Sequence, residues 1–182
     1  MSDAFQIEGM TRLLRCHVFD VERRTIGHDG TTFERDVAVH RGAVAVLAFN
    51  DADEIGLIRQ YRSTFDRLTW EIPAGTQDVD GEEPLATAQR ELLEEIGVVA
   101  NDWTLLGRFM NSPGWTNQVM TIYEARGLTG APRAPSGPEE SSSTVHWMAK
   151  DELREILRQE PAIDSTMVVA LHRVFGNFFD GA

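Results

Sequence analysis

The sequence predicts an α+β protein, an αβα sandwich around a mixed β-sheet that is preceded by an N-terminal β-hairpin extension. Three observations support this class: the apolar run GAVAVLAF (residues 42–49), one strongly amphipathic helix at residues 84–97, and several short β-rich segments between few helices. We expect residues 1–40 to form the extension, as a dimerisation element, and residues 41–182 to form the main domain.

The N-terminal elements are predicted from β-rich stretches and the turns between them. Stretches around residues 13–21 and 31–39 lie on either side of His28-Asp29-Gly30, and an Asp-Gly pair between such stretches indicates a hairpin. The run GAVAVLAF is continuous and apolar, as in a strand that is buried on both faces. After a turn, residues 54–62 are predicted as its antiparallel partner, and LTWEI (residues 68–72) as another strand.

The clearest helix covers residues 84–97, with Pro84 suited to its first turn and Gly97 at the position of a C-terminal cap. The Gly, Pro and Ser content of residues 127–143 indicates a mobile surface loop. The remaining predicted elements are strands at 104–110, 119–125 and 144–148, and helices near 150–159 and 164–176.

Charge and composition exclude several classes of function. With 17 Lys+Arg against 29 Asp+Glu the net charge is −12, which repels a phosphate backbone, so we expect no nucleic-acid partner. Cys16 is the only cysteine, which excludes an internal disulfide and a cysteine-based zinc cluster. The start lacks the pattern of a signal peptide and no apolar run is long enough to span a bilayer, so we expect a cytoplasmic protein without a membrane partner.

The helix at residues 84–97 carries a cluster of carboxylates. At about 100° per residue, Glu91 and Glu95 lie about 40° apart, and Glu94 lies about 60° to the other side of Glu91. Runs of glutamate are usually solvated helix faces, but several like charges with Arg90 among them favour a site for an external cation. Hard oxygen ligands of this kind suit Mg²⁺, with Mn²⁺ as the alternative. The apolar stripe that would face the core is formed by Leu85, Ala88, Leu92 and Ile96.

The segment GTQDVDGEEPLATAQRELLEEIGV resembles the Nudix box, whose family pattern is G-x5-E-x7-R-E-U-x-E-E-x-G-U with U apolar. Between Gly75 and Glu82 this chain has six residues, one more than the pattern, and we expect Gly81 to accommodate the longer loop without displacing Glu91 or Glu95. The pattern positions are occupied by Gly75, Glu82, Arg90, Glu91, Leu92, Glu94, Glu95, Gly97 and Val98.

Outside the box, RQYR (residues 59–62), WEIPAG (residues 70–75) and SPGW (residues 112–115) are similar to the ADP-ribose pyrophosphatase branch of this family. Pro113 lies fifteen residues past Val98, close to the marker proline of that branch. The resemblance implies metal binding by Glu91, Glu95, Glu94 and the backbone carbonyl of Ala74. It also implies a catalytic loop glutamate, either Glu139 or Glu140, with Arg90 orienting the carboxylates and Glu94 as its partner or a ligand. For substrate binding it points to Arg62, Arg35, Trp115 and Pro113.

The activity implied by the resemblance is metal-dependent hydrolysis of the diphosphate bond of a nucleoside diphosphate sugar, ADP-ribose first, giving AMP and ribose 5-phosphate. The alternatives are another nucleotide sugar, a dinucleotide or a nucleoside triphosphate as substrate, and a sensor that binds without cleaving. In this branch the N-terminal hairpin often crosses between subunits, which implies a homodimer. Gln118 stands where the branch usually carries an acidic residue, a change that bears on substrate preference.

Overall fold

The computed structural model describes residues 4–179. They form two compact units. The first contains the described residues up to Gly42 together with Met110–Val119, and the second contains Ala43–Phe109 and the described residues from Met120 onward. The first unit thus takes in a segment beyond the predicted extension of residues 1–40, and the assignment of that extension as a separate domain stays a prediction.

The first unit is built on a three-stranded antiparallel sheet of β1 (Gln6–Arg15), β2 (Phe19–His28) and β3 (Thr31–His40). The predicted hairpin at Asp29-Gly30 is confirmed: both residues have positive φ, as a two-residue hairpin turn requires. A single strand over residues 13–21 is wrong, because the chain turns there and the Cys16 N–H donates to the Phe19 carbonyl. That turn has neither Gly nor Pro, which is why the sequence did not show it.

The second unit holds two sheets. A four-stranded sheet has the order β7 (Ala74–Thr76), β4 (Ala43–Ala48), β9 (Val119–Gly130) and β8 (Val98–Met110), with β4 parallel to β9 and antiparallel to β7. A three-stranded antiparallel sheet has the order β10 (Thr144–Met148), β5 (Ile55–Arg62) and β6 (Arg67–Glu71). The helices are α1 (Pro84–Ile96), α2 (Gly137–Ser142), α3 (Lys150–Gln159) and α4 (Ser165–Phe175).

Strand β4 connects the two hydrophobic cores of this unit, because its side chains alternate between them. Ala45 and Leu47 pack in the core that contains residues of α3 and α4, whereas Val44 and Val46 pack in the core that contains the apolar face of α1. Every residue of β4 is buried, which confirms the predicted strand with two covered faces. Helices therefore cover both faces of a mixed sheet, and the predicted αβα sandwich is confirmed.

Two further sequence expectations are corrected. Strand β5 is not the antiparallel neighbour of β4, since the two lie in different sheets and share only the isolated bridge between Phe49 and Ile55. The stretch 127–143 is not one loop, because β9 runs on to Gly130 and residues 137–142 form α2. No helix of the described residues is long and apolar enough to cross a membrane, and a cytoplasmic location stays a prediction.

The C-terminus of α1 generates a stability prediction. Gly97 caps the helix with φ 71°, and an added methyl group would lie 2.8 Å from the Ala131 carbonyl oxygen. We expect Gly97→Ala to lower the free energy of unfolding by about 1–2 kcal/mol because both the backbone conformation and the space oppose a side chain. Urea denaturation measures this. Gly130→Ala is the control, since nothing lies within 4 Å of a methyl group there; equal losses in the two variants would contradict the assignment.

Candidate active site

Helix α1 holds Glu91 and Glu95 in its buried face. They are only 6% and 3% exposed, although the apolar residues of the same face, such as Leu92, are the ones expected to be buried. The helix begins at Pro84 and ends at the Gly97 cap, as predicted, so both bounds are set by local sequence. The extra residue before the helix is accommodated in a turn at Gly81, whose φ is 80°.

Strand β7 provides the surroundings of the two carboxylates. The Ala74 N–H donates to Glu95 Oε2 at 2.7 Å, and Gly75 lies so close to Glu91 that a methyl group at position 75 would overlap its carboxyl group. The motif has a glycine at position 75 because any side chain there would clash with the Glu91 carboxyl group. Ala74 does lie beside Glu95, whereas the predicted metal-binding role of its carbonyl stays a prediction.

Burial perturbs both carboxylates. Burial raises the pKa of Glu91 to about 7, with the charges of Glu94 and Glu140 acting in the same direction against Arg90. Burial likewise raises the pKa of Glu95 to about 8, with the charges of Glu91 and Glu140 adding to it and the Ala74 N–H opposing it. Two buried carboxyl groups that repel each other are a common arrangement at functional sites.

Arg90 lies at the centre of the carboxylate cluster. Its Nη1 donates to Glu91 Oε1 at 2.7 Å and to Glu94 Oε2 at 3.2 Å. Its Nε and Nη2 contact the two carboxylate oxygens of Glu82 at 3.4 and 3.3 Å, and Nη2 also contacts Asp78 Oδ1 at 3.4 Å. One guanidinium thus joins the loop before α1 to the carboxylates on the helix.

The two loop glutamates have different surroundings. Both lie on α2, which contacts β5. The charge of Glu140 adds to the upward shift of the pKa of Glu91 and of Glu95. The charge of Glu139 acts on Arg62 instead, where it adds to an upward shift of the pKa that is caused first by the hydrogen bond to Glu71.

Arg62 is paired with a residue to which the sequence assigned no role. Its Nε and Nη2 donate to the two carboxylate oxygens of Glu71 at 2.9 and 2.7 Å. Thr69 Oγ1 and Gln60 Nε2 donate to the same carboxylate at 2.6 and 3.1 Å. The signal for this cluster was strand alternation: residues two apart share a face, and Gln60 lies directly opposite Thr69 in the β5–β6 hairpin.

The carboxylate cluster has the kind of donor atoms that a divalent cation requires. Within residues 4–179, no three acidic, histidine or cysteine side chains lie close enough together to hold a metal ion as they stand. Arg90 donates hydrogen bonds to oxygens of Glu91 and Glu94, and the Ala74 N–H donates to one oxygen of Glu95. The donor set still fits, because carboxylate oxygens are the ligands that Mg²⁺ and Mn²⁺ prefer, and a cation would offset the repulsion between the buried groups.

The other predicted substrate-binding residues lie in the first unit. Pro113 and Trp115 line a groove of about 320 Å³ together with Arg24 and Met110. Trp115 is exposed, and the Arg35 guanidinium lies 4.6 Å from the centre of the Phe33 ring. These contacts are consistent with binding a planar group. The roles of Arg35, Pro113 and Trp115 stay predictions.

Gln118 is held within the first unit by polar contacts. Its side chain lies 3.3 Å from His40 Nε2 and 2.8 Å from Asn111 Nδ2. The Gly42 N–H donates to His40 Nδ1 at 3.0 Å, so a neutral His40 carries its proton on Nε2. His40 thus links Gln118 to the backbone at Gly42 within this unit.

The fold and the carboxylate helix define the class of protein, and comparison with known proteins gives the family. Residues 39–168 match the model of the NUDIX domain family. The chain belongs to the Nudix family.

Three relatives illustrate the match. An ADP-ribose pyrophosphatase of Mycobacterium tuberculosis is 39% identical over 152 residues, which cover 82% of this chain and 73% of the relative. A methanol dehydrogenase activator of Bacillus methanolicus is 32% identical over 160 residues, which cover 88% and 84%. A crystal structure of an ADP compounds hydrolase superposes with a TM-score of 0.78 at 25% identity, covering 93% of this chain and 91% of that one.

The raised pKa values predict how stability depends on pH. Glu95 is protonated in the folded, metal-free protein below about pH 8 but ionised in the unfolded chain above about pH 4.5, so folding loses stability as the pH rises between these values. By pH 7 the loss due to Glu95 is on the order of 3 kcal/mol. Glu95→Gln removes the ionisable group and with it this pH-dependent loss of stability. With a chelator present to keep the protein metal-free, we expect the variant to gain stability relative to the wild type as the pH rises from 5 to 8.

Urea titrations at several pH values measure that difference. Glu155→Gln is the matched control, because Glu155 lies on the solvent side of α3 with 64% of its side chain exposed. If the free energies of unfolding of Glu95→Gln and the wild type differ by a constant amount across this pH range, the pKa of Glu95 is not raised.

Proposed function

We propose that the protein hydrolyses the diphosphate bond of a nucleoside diphosphate sugar, with ADP-ribose as the preferred substrate and AMP and ribose 5-phosphate as products. The observation that carries the proposal is the pair of buried carboxylates, Glu91 and Glu95, on the motif helix of a Nudix domain. The relatives named as an ADP-ribose pyrophosphatase and an ADP compounds hydrolase support the substrate class.

The cofactor proposed is Mg²⁺, with Mn²⁺ as the alternative. Glu91, Glu95 and the Ala74 carbonyl would hold it, with Glu94 as a further ligand. A bound divalent cation polarises phosphoryl oxygens and lowers the pKa of a coordinated water. Arg90 already contacts Glu91 and Glu94, so its part is to hold these carboxylates in place and to balance their charge.

Glu140 is the proposed proton acceptor of the reaction. Its charge adds to the upward shift of the pKa of both Glu91 and Glu95, and this coupling to the buried pair supports its choice over Glu139. One Glu140 carboxylate oxygen accepts the Ser136 N–H at 2.6 Å, which leaves the other to orient that water and take its proton. Glu139 acts instead on Arg62, and we assign it no proton transfer.

Arg62 is the proposed phosphate-binding residue. A guanidinium binds phosphate through two parallel hydrogen bonds. The charges of Glu95 and Glu139 act on the pKa of Arg62, which supports a role of this arginine at the site. Arg35, Trp115 and Pro113 are proposed to bind the nucleoside part of the substrate. An arginine over a ring and an exposed tryptophan are suited to a planar base.

Product analysis tests the activity. With Mg²⁺, we expect ADP-ribose to turn over fastest in a panel with other nucleotide sugars, dinucleotides and nucleoside triphosphates, giving AMP and ribose 5-phosphate. Glu95→Gln should lower kcat by at least about a hundredfold while the fold is retained, because it removes a charged ligand. Faster cleavage of another panel member would reject ADP-ribose, and no cleavage with Mg²⁺ or Mn²⁺ would favour a sensor.

We also propose that the protein is a homodimer, paired through the sheet of the first unit. Strand β1 is an edge strand among the described residues, so it presents unpaired backbone groups. Exposed apolar side chains lie on the same strand and on the turn that follows it, an arrangement that suits a second copy of the chain better than water. These side chains are Ile7, Met10, Leu13, Leu14 and Val18.

Light scattering at micromolar concentration tests the dimer. We expect twice the monomer mass for the wild type and the monomer mass for Met10→Glu, because a buried unpaired carboxylate opposes association. Phe65→Glu is the control, since Phe65 is equally exposed but lies in the second unit. A monomeric wild type would reject the proposal.

A further inference from the structure

Glu71 has a carboxylate whose hydrogen bonds are unusually complete. It accepts four hydrogen bonds, two from Arg62 and one each from Thr69 and Gln60. Its side chain is 12% exposed. Burial acts to raise the pKa of Glu71, but the hydrogen bonds and the charge of Arg62 outweigh it, so the pKa is lowered and the group is a carboxylate.

Stability alone is a weak reason for such a pair. Removing two charges from water costs about as much as their attraction returns, so a well-packed apolar pair of similar size often serves the fold equally well. The hairpin places Arg62, Gln60, Thr69 and Glu71 on one face, so two neutral side chains are committed to the same carboxylate as the arginine.

The pair determines which edge of Arg62 is available. Glu71 occupies Nε and Nη2, which leaves the Nη1 edge outside the pair. The charge of Glu139 also acts on the pKa of this guanidinium. Without Glu71, the two hydrogen bonds that fix Arg62 Nε and Nη2 would be lost.

We propose that Glu71 is a positioning residue, which holds Arg62 so that its Nη1 edge faces the diphosphate of the substrate. The proposal rests on the function proposed above for this site. Glu71 does not touch the substrate; it acts through Arg62, whose orientation it sets before the ligand arrives.

Steady-state kinetics of Glu71→Gln tests the proposal. The amide keeps the shape but presents an NH₂ group to the guanidinium in place of one carboxylate oxygen. We expect KM for ADP-ribose to rise about tenfold with kcat within about threefold, which is the pattern of lost ground-state and transition-state binding. Glu71→Asp, which keeps the charge, should recover part of the loss. An unchanged KM in Glu71→Gln would overturn the proposal.

A double-mutant cycle with Arg62→Lys separates positioning from general loosening. Lysine cannot make the paired contact, so Glu71→Gln in that background should change KM by less than about twofold. If the fold-changes in KM caused by the two substitutions multiply in the double variant, Glu71 acts independently of Arg62 and the proposal is overturned.

Glu160→Gln is the matched structural control. Glu160 accepts from Arg59 at 2.9 Å and from Arg67 at 3.5 Å, so it joins the same two strands by a comparable ion pair. Its loss should lower the Tm by an amount similar to that in Glu71→Gln and leave KM unchanged. An equal rise in KM would mean that any loosening of this sheet weakens binding, which would overturn a specific role of Glu71.

The failure of this proposal is distinguishable from that of the proposed function. If the wild type does not cleave ADP-ribose, the proposed function fails. Titration calorimetry then compares the Kd for ADP of the wild type with that of Glu71→Gln. A Kd about tenfold higher in Glu71→Gln supports the positioning role, whereas equal affinity overturns it. A wild type that neither cleaves ADP-ribose nor binds ADP overturns both.

Discussion

The burial of two carboxyl groups on one face of α1 is the constraint on which the site depends. Glu91 and Glu95 lie one helical turn apart and almost out of water, where repulsion between carboxylates is strong. The surroundings answer this cost with a backbone N–H at Ala74, a position without a side chain at Gly75, and the guanidinium of Arg90. Two of these features, Ala74 and Gly75, lie in strand β7, which is only three residues long.

Arg90 makes the geometry of the preceding loop depend on the same cluster. Its contacts extend from Glu91 and Glu94 on the helix to Glu82 and Asp78 in the loop. The loop is therefore held by Arg90 on both sides of Gly81, the residue at which it turns. This explains why one residue more than the family pattern is tolerated: the added length lies between fixed ends, and closing a slightly longer loop costs little.

Local sequence predicted much of the fold, and long-range pairing accounts for what it missed. The bounds of α1 and the burial of β4 follow from caps and periodicity, which are properties of adjacent residues. The neighbours of β4 are not local: it pairs with β9, more than seventy residues away, instead of β5. Helix α2 was taken for loop because Gly137 and the Ser run are weak helix formers, and because Ser136 at its start makes no side-chain capping hydrogen bond.

The site divides in the same way. Glu91 and Glu95 were predictable because their spacing along one helix is the motif. The pairing of Arg62 with Glu71 depends instead on the register of the β5–β6 hairpin. The difference between Glu139 and Glu140 depends on how α2 packs against β5. Arg62 and Arg90 are both held by carboxylates before any ligand arrives. A chain with a net charge of −12 would otherwise attract a diphosphate poorly, so fixing the few cations in advance reduces the ordering cost of binding. At this site, acidic side chains thus fix the positions of Arg62, the proposed phosphate-binding residue, and of Arg90, which balances the charge of the helix carboxylates.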